Sequence, residues 1–433
     1  MVKNTSNGQP GSAMSRRNFL KLAGLAGAGL AVPAWSLAGA QRVAAQTSLS
    51  YWHHLASDAE KAGLQAIVDA YKAAKNVTVN VELVPNADFM AKFITSAQGN
   101  SLPDSTMATQ QRLPDMAAAG GLTDITERVD AWAHKADYSD VMWQGASFDG
   151  KVYAVPGFML VYWMFYRVDH FEEVGIKDFP KTWDEFLEAA IKLTDPAKGR
   201  FGFAMRGGAG GPVHILDVIE SWNGPVLDAE GKITMDEQKT TDALRYYGEL
   251  LTKYNVVSPS APSDGYQQIS TMFKAGQASM MPTHTGALAD IQGTLGKDGK
   301  MFMSAATPGG AAAQIARILP INNGMGSAAQ ADATWDWLSF WGEAENQITF
   351  NQKTGYFPTL TAALTDKRVT ENIFNKAAID AAPNYHLNPN FLGAAFWFDQ
   401  VIGPAFQQVL TKQIQPEDAA KLIIDGLATA LKG

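Results

Sequence analysis

Short motifs that carry catalysis are the first feature to test in this sequence. The chain contains no G-x-S-x-G, no H-E-x-x-H and no G-x-x-x-x-G-K-[ST] motif. The segment NGMGSAA, residues 323–329, fits G-x-G-x-x-A and would suggest a dinucleotide site. However, Glu343 and Glu345, about 20 positions on, fall at the end of a predicted helix and not at the tip of a strand. We therefore predict that the chain is not an enzyme.

Two other kinds of chemistry follow from residue counts. Acidic residues are plentiful enough for the paired carboxylates of a glycosidase, but none stands in a loop shared with aromatic residues. If the chain is an enzyme after all, a secreted glycosidase is the alternative function.

The chain has no cysteine, which excludes disulfides, thiolate zinc sites, a cysteine nucleophile and a lipid-attachment cysteine. We predict no cofactor and no metal site.

Aromatic and histidine side chains favour the recognition of a sugar. A sugar presents an apolar face of C–H groups and an edge of hydroxyls, so its site needs aromatic platforms beside groups that donate and accept hydrogen bonds. The chain has 11 Trp, and the segment Trp52, His53, His54 directly follows a predicted strand. Adjacent residues at a strand end point to opposite sides, so we expect at most one of the two histidines to face a cleft.

Length and charge describe the scaffold that must position such side chains. At 433 residues the chain fits two domains of roughly 150 to 200 residues each. The net charge is -8 and the pI is about 5.4, with no long basic run. Nucleic acid is therefore not an expected partner.

The N-terminal 46 residues have the pattern of an export signal. Arg16 and Arg17 precede an apolar stretch from Leu22 to about Pro33, and small residues follow. The apolar stretch is shorter than the ~20 residues that a membrane-spanning helix needs. We predict a twin-arginine (Tat-type) signal peptide over residues 1–46, with cleavage after Ala40 or Ala45 left open.

The remaining chain alternates between strand and helix periods. Residues 48–52 and 77–84 read as strands, and between them Leu64, Ile67, Val68 and Tyr71 share one helical face. Strand, helix and strand within this length predict a βαβ unit and therefore an α/β fold with parallel strands. Further helices are predicted over KTWDEFLEAAIKL, with a capping box at Thr182, and from Pro416 onward.

A long apolar stretch in residues 152–169, VYAVPGFMLVYWMFYRVD, is too short in its charge-free part to span a membrane. Its β-branched and aromatic residues predict a long buried strand. The polar atoms and flat faces of Tyr162, Trp163 and Tyr166 suggest that this strand also runs past a cleft.

The order of eight segments resembles the extracellular solute-binding proteins of ABC importers, in the carbohydrate-binding group that includes maltose-binding protein. The segments span almost the whole mature chain: LSYWHHL (49–55), SLPDSTMATQQRLPDMAAAGGLTDIT (101–126), FDGKVYAVPGFMLVYWMFYR (148–167), PKTWDEFLEAAIKL (180–193), FKAGQASMMPTHTG (273–286), TWDWLSFW (334–341), NQKTGYFPTL (351–360) and AAFWFDQVIGPAF (394–406).

The resemblance implies a type II periplasmic binding protein-like fold, with two α/β lobes joined by hinge strands around a ligand cleft. Residues 47–158 and 302–348 would form lobe 1, and residues 163–300 and 349–433 would form lobe 2. The first hinge would be 158–163, with further crossings near 300–308 and 342–355.

The resemblance also suggests ligand-binding residues. Trp397 matches a position where relatives place a stacking tryptophan. In the loop 110–112 Gln111 replaces an acid and Arg112 keeps a base, while the loop of Thr283 and His284 lacks the tryptophan of relatives, so the ligand set differs from that of maltose. The further candidates are Trp52, His53, His54, Tyr162, Arg206, Trp222 and Asn223.

The function implied is capture of a carbohydrate (a sugar, oligosaccharide or polyol) by an exported, monomeric periplasmic or extracellular protein that delivers it to a membrane permease. A phosphorylated polyol such as glycerol phosphate is the alternative ligand, for which Arg112 and Arg206 would supply charge-assisted hydrogen bonds.

Overall fold

A computed structural model describes residues 48–432 except residues 87, 229 and 310–315. The predicted signal peptide, residues 1–46, lies outside the described residues. In chain order the strands are β1 Ser48–His53, β2 Thr78–Leu83, β3 Ser105–Thr109, β4 Ser147–Phe148, β5 Lys151–Val152, β6 Ala154–Arg167, β7 Phe201–Phe203, β8 Ala278–His284, β9 Phe302–Ala305, β10 Ala316–Met325 and β11 Tyr385–Leu387.

Helices connect and cover these strands. The α-helices are α1 Asp58–Lys75, α2 Phe89–Gln98, α3 Leu113–Ala118, α4 Thr126–Asp130, α5 Asp140–Gly145, α6 Val168–Glu173, α7 Trp183–Leu193, α8 Pro212–Asn223, α9 Glu237–Thr252, α10 Tyr266–Lys274, α11 Leu288–Leu295, α12 Ala331–Trp341, α13 Ala344–Thr354, α14 Thr361–Leu364, α15 Lys367–Thr370, α16 Lys376–Ala381, α17 Ala394–Phe396, α18 Gly403–Leu410 and α19 Pro416–Ala430. A π-helical segment, Trp397–Ile402, joins α17 to α18.

The predicted helices form for the reasons that their sequences suggest. Leu64, Ile67, Val68 and Tyr71 of α1 are all buried, as the 3.6-residue period predicted. In α7 the Thr182 hydroxyl accepts a hydrogen bond from the Glu185 backbone N–H, and the Glu185 carboxylate accepts one from the Thr182 N–H, which completes the predicted capping box. Helix α19 begins at Pro416, also as predicted.

In the described part of the chain nine strands form one mixed sheet. Its order is β2-β1-β3-β10-β6-β8-β7, with β11 paired to β10 and β9 paired to β6. Strand β1 runs parallel to β2 and β3, which confirms the predicted βαβ unit. β2 forms the edge of the sheet, so Val81 and Leu83 remain 38% and 40% exposed although their spacing is that of a strand.

Strand β6 is the long buried strand predicted for the apolar stretch, and it changes partners along its length. Residues 154–161 of β6 pair with β10, whereas the residues from Tyr162 onward pair with β8 and β9. The change falls inside the predicted hinge, 158–163. One strand therefore belongs to both halves of the sheet.

Later segments of the chain pair with both halves of β6 and pack on α1, while the lobe boundaries stay a prediction. Strand β9, assigned to lobe 1 by the sequence, pairs with the C-terminal half of β6, so that half of the sheet extends beyond residue 300. Helix α13 packs closely on α1. The Phe350 ring of α13 lies so near Gly63 of α1 that a Cβ added to this glycine would be only 2.9 Å from the ring. Phe357 pairs with β6 as an isolated bridge, and its backbone exchanges hydrogen bonds of 2.8 and 2.9 Å with Met159. The predicted crossings near 300–308 and 342–355 stay a prediction.

Buried apolar side chains cover both faces of the sheet, and residues Gln46–Leu431 form one compact unit. Trp337 and Trp341 of α12 pack beside Tyr51 of β1, while Trp183 and Phe186 of α7 pack beside Phe203 of β7. Among the described residues no helix combines the length and apolarity required to cross a membrane.

Candidate functional site

Seven polar and aromatic side chains meet where β6 changes partners. We call this set the hinge cluster, and it consists of Glu60, Tyr162, Arg206, His214, Tyr266, His284 and Tyr356. The His284 ring lies at its centre, with ring centroids 6.0 Å from Tyr162, 6.4 Å from Tyr266 and 6.0 Å from Tyr356. Tyr162 in turn lies 5.7 Å from His214.

The sheet and the starts of two helices position these rings. Tyr162 is the first residue of β6 beyond the partner change, and it pairs in register with His284 at the end of β8. His214 lies in the first turn of α8, and Tyr266 is the first residue of α10. The cluster therefore follows strand ends and helix beginnings, the position where α/β folds place ligands.

Tyr356 joins the cluster to the first turn of α1. Its hydroxyl donates a 2.6 Å hydrogen bond to Glu60 Oε1, while Glu60 Oε2 accepts from the backbone N–H groups of Ser57 and Ala56. The Tyr356 ring lies against the backbone of Gly286, where a Cβ would come within 2.2 Å of Tyr356 Cε1. A glycine is therefore required at position 286 for this ring placement.

Burial and neighbouring groups set the charges of the cluster. Burial lowers the pKa of His284 to about 4 and that of His214 well below its ordinary value, and the Arg206 guanidinium adds to both effects. Burial also raises the pKa of Tyr162 to about 12. Burial works against ionisation of Glu60, but the hydrogen bonds from Tyr356 and the α1 N-terminus outweigh it and lower its pKa. At neutral pH the cluster thus has one carboxylate, one guanidinium, and neutral imidazoles and phenols.

Several buried polar atoms near the cluster have no hydrogen-bond partner in the described part of the chain. They include His214 Nε2, His284 Nδ1 and Thr283 Oγ1, together with His54 Nδ1 closer to the first strand. Buried polar atoms are normally paired, because an unpaired one costs about 1–3 kcal/mol. These side chains therefore have hydrogen-bonding capacity that no described residue uses.

Five of the predicted residues lie in or beside the hinge cluster. Tyr162, Arg206 and His284 belong to it, and Thr283 precedes His284 on β8. His53 is buried and interacts electrostatically with Glu60, and its Nδ1 accepts from the Leu55 N–H at 3.2 Å.

Three further predicted residues form a group at the ends of β1 and β3. Arg112 donates to Asn86 Oδ1 at 2.9 Å and to Asn86 O at 3.1 Å, and it interacts electrostatically with Asp399. The His54 ring contacts Phe89 edge-on at 5.8 Å, and Arg112 adds to the burial that lowers the pKa of His54 to about 4. Gln111 is partly exposed in the same loop.

The structure does not bring the remaining four predicted residues into the cluster. Trp52 is buried among core residues with the Lys92 ammonium 4.2 Å from its ring. Trp222 and Asn223 are the last two residues of helix α8. Trp222 packs on Tyr246, and Asn223 binds the Asp236 N–H.

Trp397 is the fourth of these residues. Its side chain is 0% exposed, and its Nε1 donates a 3.0 Å hydrogen bond to Ile423 O inside the core. The adjacent Phe396 is 58% exposed. The stacking role predicted for Trp397 stays a prediction, and its packing is that of a core residue.

Sequence reasoning did not single out Glu60, His214, Tyr266 or Tyr356. For Tyr356 a signal existed, because TGYFPTL was one of the segments that carry the family resemblance. Glu60 also had one, as the third residue of a helix that begins with Ser57. His214 and Tyr266 have no distinctive local pattern.

A cavity of about 530 Å³ lies away from the cluster, and none of the seven cluster residues lines it. It is bordered by Phe179, Met303, Ile373 and Lys376. Among the described residues there is no group of three or more His, Asp or Glu side chains arranged to hold a metal ion. The chemistry of the cluster is therefore that of hydrogen bonds and aromatic contacts.

Comparison with curated proteins shows similarity to binding proteins. A putative binding protein of Brucella abortus (strain 2308) is 24% identical over 211 residues, which cover 48% of this chain and 50% of the relative. The erythritol/L-threitol-binding protein of Mycolicibacterium smegmatis is 26% identical over 234 residues, which cover 46% of this chain and 49% of that protein. The chain thus spans about half the length of these curated relatives.

Solved structures and the family match identify the fold and the family. The GacH receptor of Streptomyces glaucescens superimposes with a TM-score of 0.80 at 24% identity, over 89% of this chain and 99% of that one. The likeness shows the type II periplasmic binding protein fold. Residues 66–377, well over half of the sequence, match the model of a single family. The chain belongs to the bacterial extracellular solute-binding proteins.

Proposed function

We propose that this protein is exported, captures an uncharged carbohydrate or polyol in the hinge cluster, and delivers it unchanged to an ABC permease. The observation that carries the proposal is the set of neutral imidazoles and phenols beside one carboxylate and one guanidinium. Neutral imidazole nitrogens and phenol oxygens both donate and accept hydrogen bonds, which matches the hydroxyl groups of a sugar or polyol. The flat rings suit its C–H faces.

The charge balance favours an uncharged ligand over a phosphorylated one. Glu60 offsets Arg206, so the cluster has no excess positive charge for a phosphate. Arg112, the second cation considered for a phosphate, already donates two hydrogen bonds to Asn86. The erythritol/L-threitol-binding relative supports a small polyol among the ligands to test.

Closure of two lobes around the ligand is part of the proposal. Strand pairing supports a first lobe of residues 48–157 and 319–354, and a second lobe of residues 163–305 and 358–432. Four hydrogen bonds of the described residues join the segment 388–393 to the first lobe: Gln110 Nε2 to Asn388 O at 3.0 Å, Asn390 Nδ2 to Ser147 O at 3.1 Å and to Gln144 O at 3.5 Å, and Gly393 N to Asp115 Oδ1 at 3.1 Å. A ligand favours this closed arrangement through the contacts that it makes with both lobes.

A thermal-shift screen over sugars, oligosaccharides, polyols and polyol phosphates tests the proposal. A ligand present at about 100 times its Kd stabilises the folded protein by about 2.7 kcal/mol. We expect a shift from at least one neutral compound, and loss of that shift in His284→Gln. His134→Gln is the matched control, because His134 is exposed, lies outside the hinge cluster and contacts Asp137 and Trp132.

Three outcomes would contradict the proposal. Hydrolysis of a labelled oligosaccharide would support the glycosidase alternative. A shift confined to polyol phosphates, weakened strongly by salt, would support the charged ligand. An unchanged ligand response in His284→Gln would remove the hinge cluster from the binding site.

A further inference from the structure

A fully buried ion network lies next to the hinge cluster. The Arg317 guanidinium on β10 donates to the carboxylates of Asp217 and Glu220 on α8, and to Asn388 Oδ1 at 3.1 Å. The side chain of Arg317 is 0% exposed, and those of its two carboxylate partners are 4% and 1% exposed. His386, which follows the start of β11, lies 3.5 Å from Glu220 through its Nε2.

Such a network is not expected to add much to the stability of the folded protein. Removing one guanidinium and two carboxylates from water carries a large desolvation penalty, and apolar replacements of similar volume are often equally stable. The charges also do not balance, because two carboxylates face one guanidinium. The best-attested use of buried ionic groups is to fix one arrangement of the elements that carry them.

The elements fixed here are those that bring His214 to Tyr162. Asp217 lies three residues after His214, so both occupy the same face of α8. Ile318, the residue after Arg317, pairs with Val161, the residue before Tyr162. The Tyr162 hydroxyl also interacts electrostatically with Asp217 and Arg317, which places the network beside the ring. Arg317 therefore ties the helix that carries His214 to the strand next to Tyr162.

We propose that Arg317, held by Asp217 and Glu220, is a positioning residue that sets the His214 ring against Tyr162 for ligand binding. The inference rests on the proposed function of the hinge cluster. Among the described residues Arg317 donates hydrogen bonds to Asp217, Glu220, Asn388 and Leu387 O and to neither ring, so we attribute its effect on ligand binding to the placement of α8.

A charge-free variant separates positioning from folding. Arg317→Met combined with Asp217→Asn and Glu220→Gln removes all three charges together, whereas Arg317→Met alone leaves two buried carboxylates unpaired. Arg167→Met with Asp169→Asn is the matched control, because Arg167 is also buried and binds Asp169, but at the far end of β6 beside His170.

The first readout requires no ligand. The chain has seven histidines, so ring resonances of isotopically labelled His are assignable by single His→Gln substitutions. We expect the nuclear Overhauser contacts between the His214 and Tyr162 rings, whose centroids lie 5.7 Å apart, to be lost in the charge-free variant and kept in the control variant. Unchanged His214–Tyr162 contacts in a folded charge-free variant would overturn the proposal.

The second readout is the affinity for erythritol, or for the neutral compound with the largest thermal shift. We expect the charge-free variant to bind on the order of tenfold more weakly, as found when a supporting shell is lost. Adding His214→Ala should then cost little more, because both changes remove the same contact. Fully additive losses would mean that the network acts independently of His214. If no compound binds the wild type, the proposed function fails while the resonance test still decides the placement of His214.

Discussion

Replacement of Trp397 by Ala separates a core role from a ligand-binding role. The Trp397 ring is fully buried, lies 6.1 Å from the Phe391 ring and 5.6 Å from the Phe398 ring, and donates its indole N–H to Ile423 O. Truncating a buried Trp to Ala costs about 3–5 kcal/mol, from lost transfer free energy and the cavity left behind. We therefore expect Trp397→Ala to lower the free energy of unfolding by that amount, with the folded fraction still able to bind ligand.

Urea unfolding followed by circular dichroism measures this loss, and a ligand titration below the unfolding transition measures binding. Phe396→Ala is the neighbouring control, because the Phe396 ring is 58% exposed and a surface change of this kind usually stays within about 0.5 kcal/mol. A Trp397→Ala variant that kept the wild-type midpoint and lost only its ligand response would refute the core assignment. It would support the stacking role that the sequence suggested.

Three further predictions concern the hinge cluster. Because burial lowers the pKa of His284 to about 4, the unfolded chain binds a proton below about pH 6.5 that the folded chain does not, so stability falls as the pH drops. We expect His284 to contribute about 2 kcal/mol to the stability lost between pH 7 and pH 5, and urea titrations of His284→Gln should lack that part. Tyr356→Phe should destabilise by about 1.5–3 kcal/mol through loss of the hydrogen bond to Glu60, and an unchanged urea midpoint would show that this bond contributes nothing. Gly286→Ala should displace the Tyr356 ring and lower the free energy of unfolding by about 1–3 kcal/mol. Gly293→Ala is the control and should be tolerated, because nothing lies within 4 Å of its added Cβ. Equal thermal midpoints for the two variants would contradict this prediction.

The fold was predictable where a local pattern decides the structure. The apolar stretch around Tyr162 became the long strand β6, and the period of α1 gave its buried face. The partners of the later strands were not predictable in the same way, because strand pairing depends on residues far apart in the chain. Strand β9 pairs with the end of β6, more than 130 residues earlier, and nothing in its four residues specifies that partner.

The candidate site was partly predictable for a similar reason. Thr283 and His284 end a strand and Arg206 follows one, so the rule that ligands bind at strand ends agrees with the family resemblance that suggested them. Trp397 was suggested by the family resemblance and Trp222 was a further candidate, and both lie in helices with their rings packed against neighbours. A tryptophan's local sequence does not specify whether its ring faces a cleft or the core.

In the binding site that we propose, a residue that the sequence analysis missed, Glu60, sets the net charge of the cluster. Without Glu60 the cluster would have a net positive charge from Arg206, and a phosphorylated ligand would fit as well as a neutral one. The Glu60 carboxylate stays ionised because Tyr356 and the first turn of α1 supply it with hydrogen bonds. Those donors come from positions almost 300 residues apart, and Tyr356 reaches Glu60 only across the bare backbone of Gly286. If the proposed function holds, discrimination between a neutral and a charged ligand depends on the contact between Tyr356 and Glu60, which exists only in the folded chain.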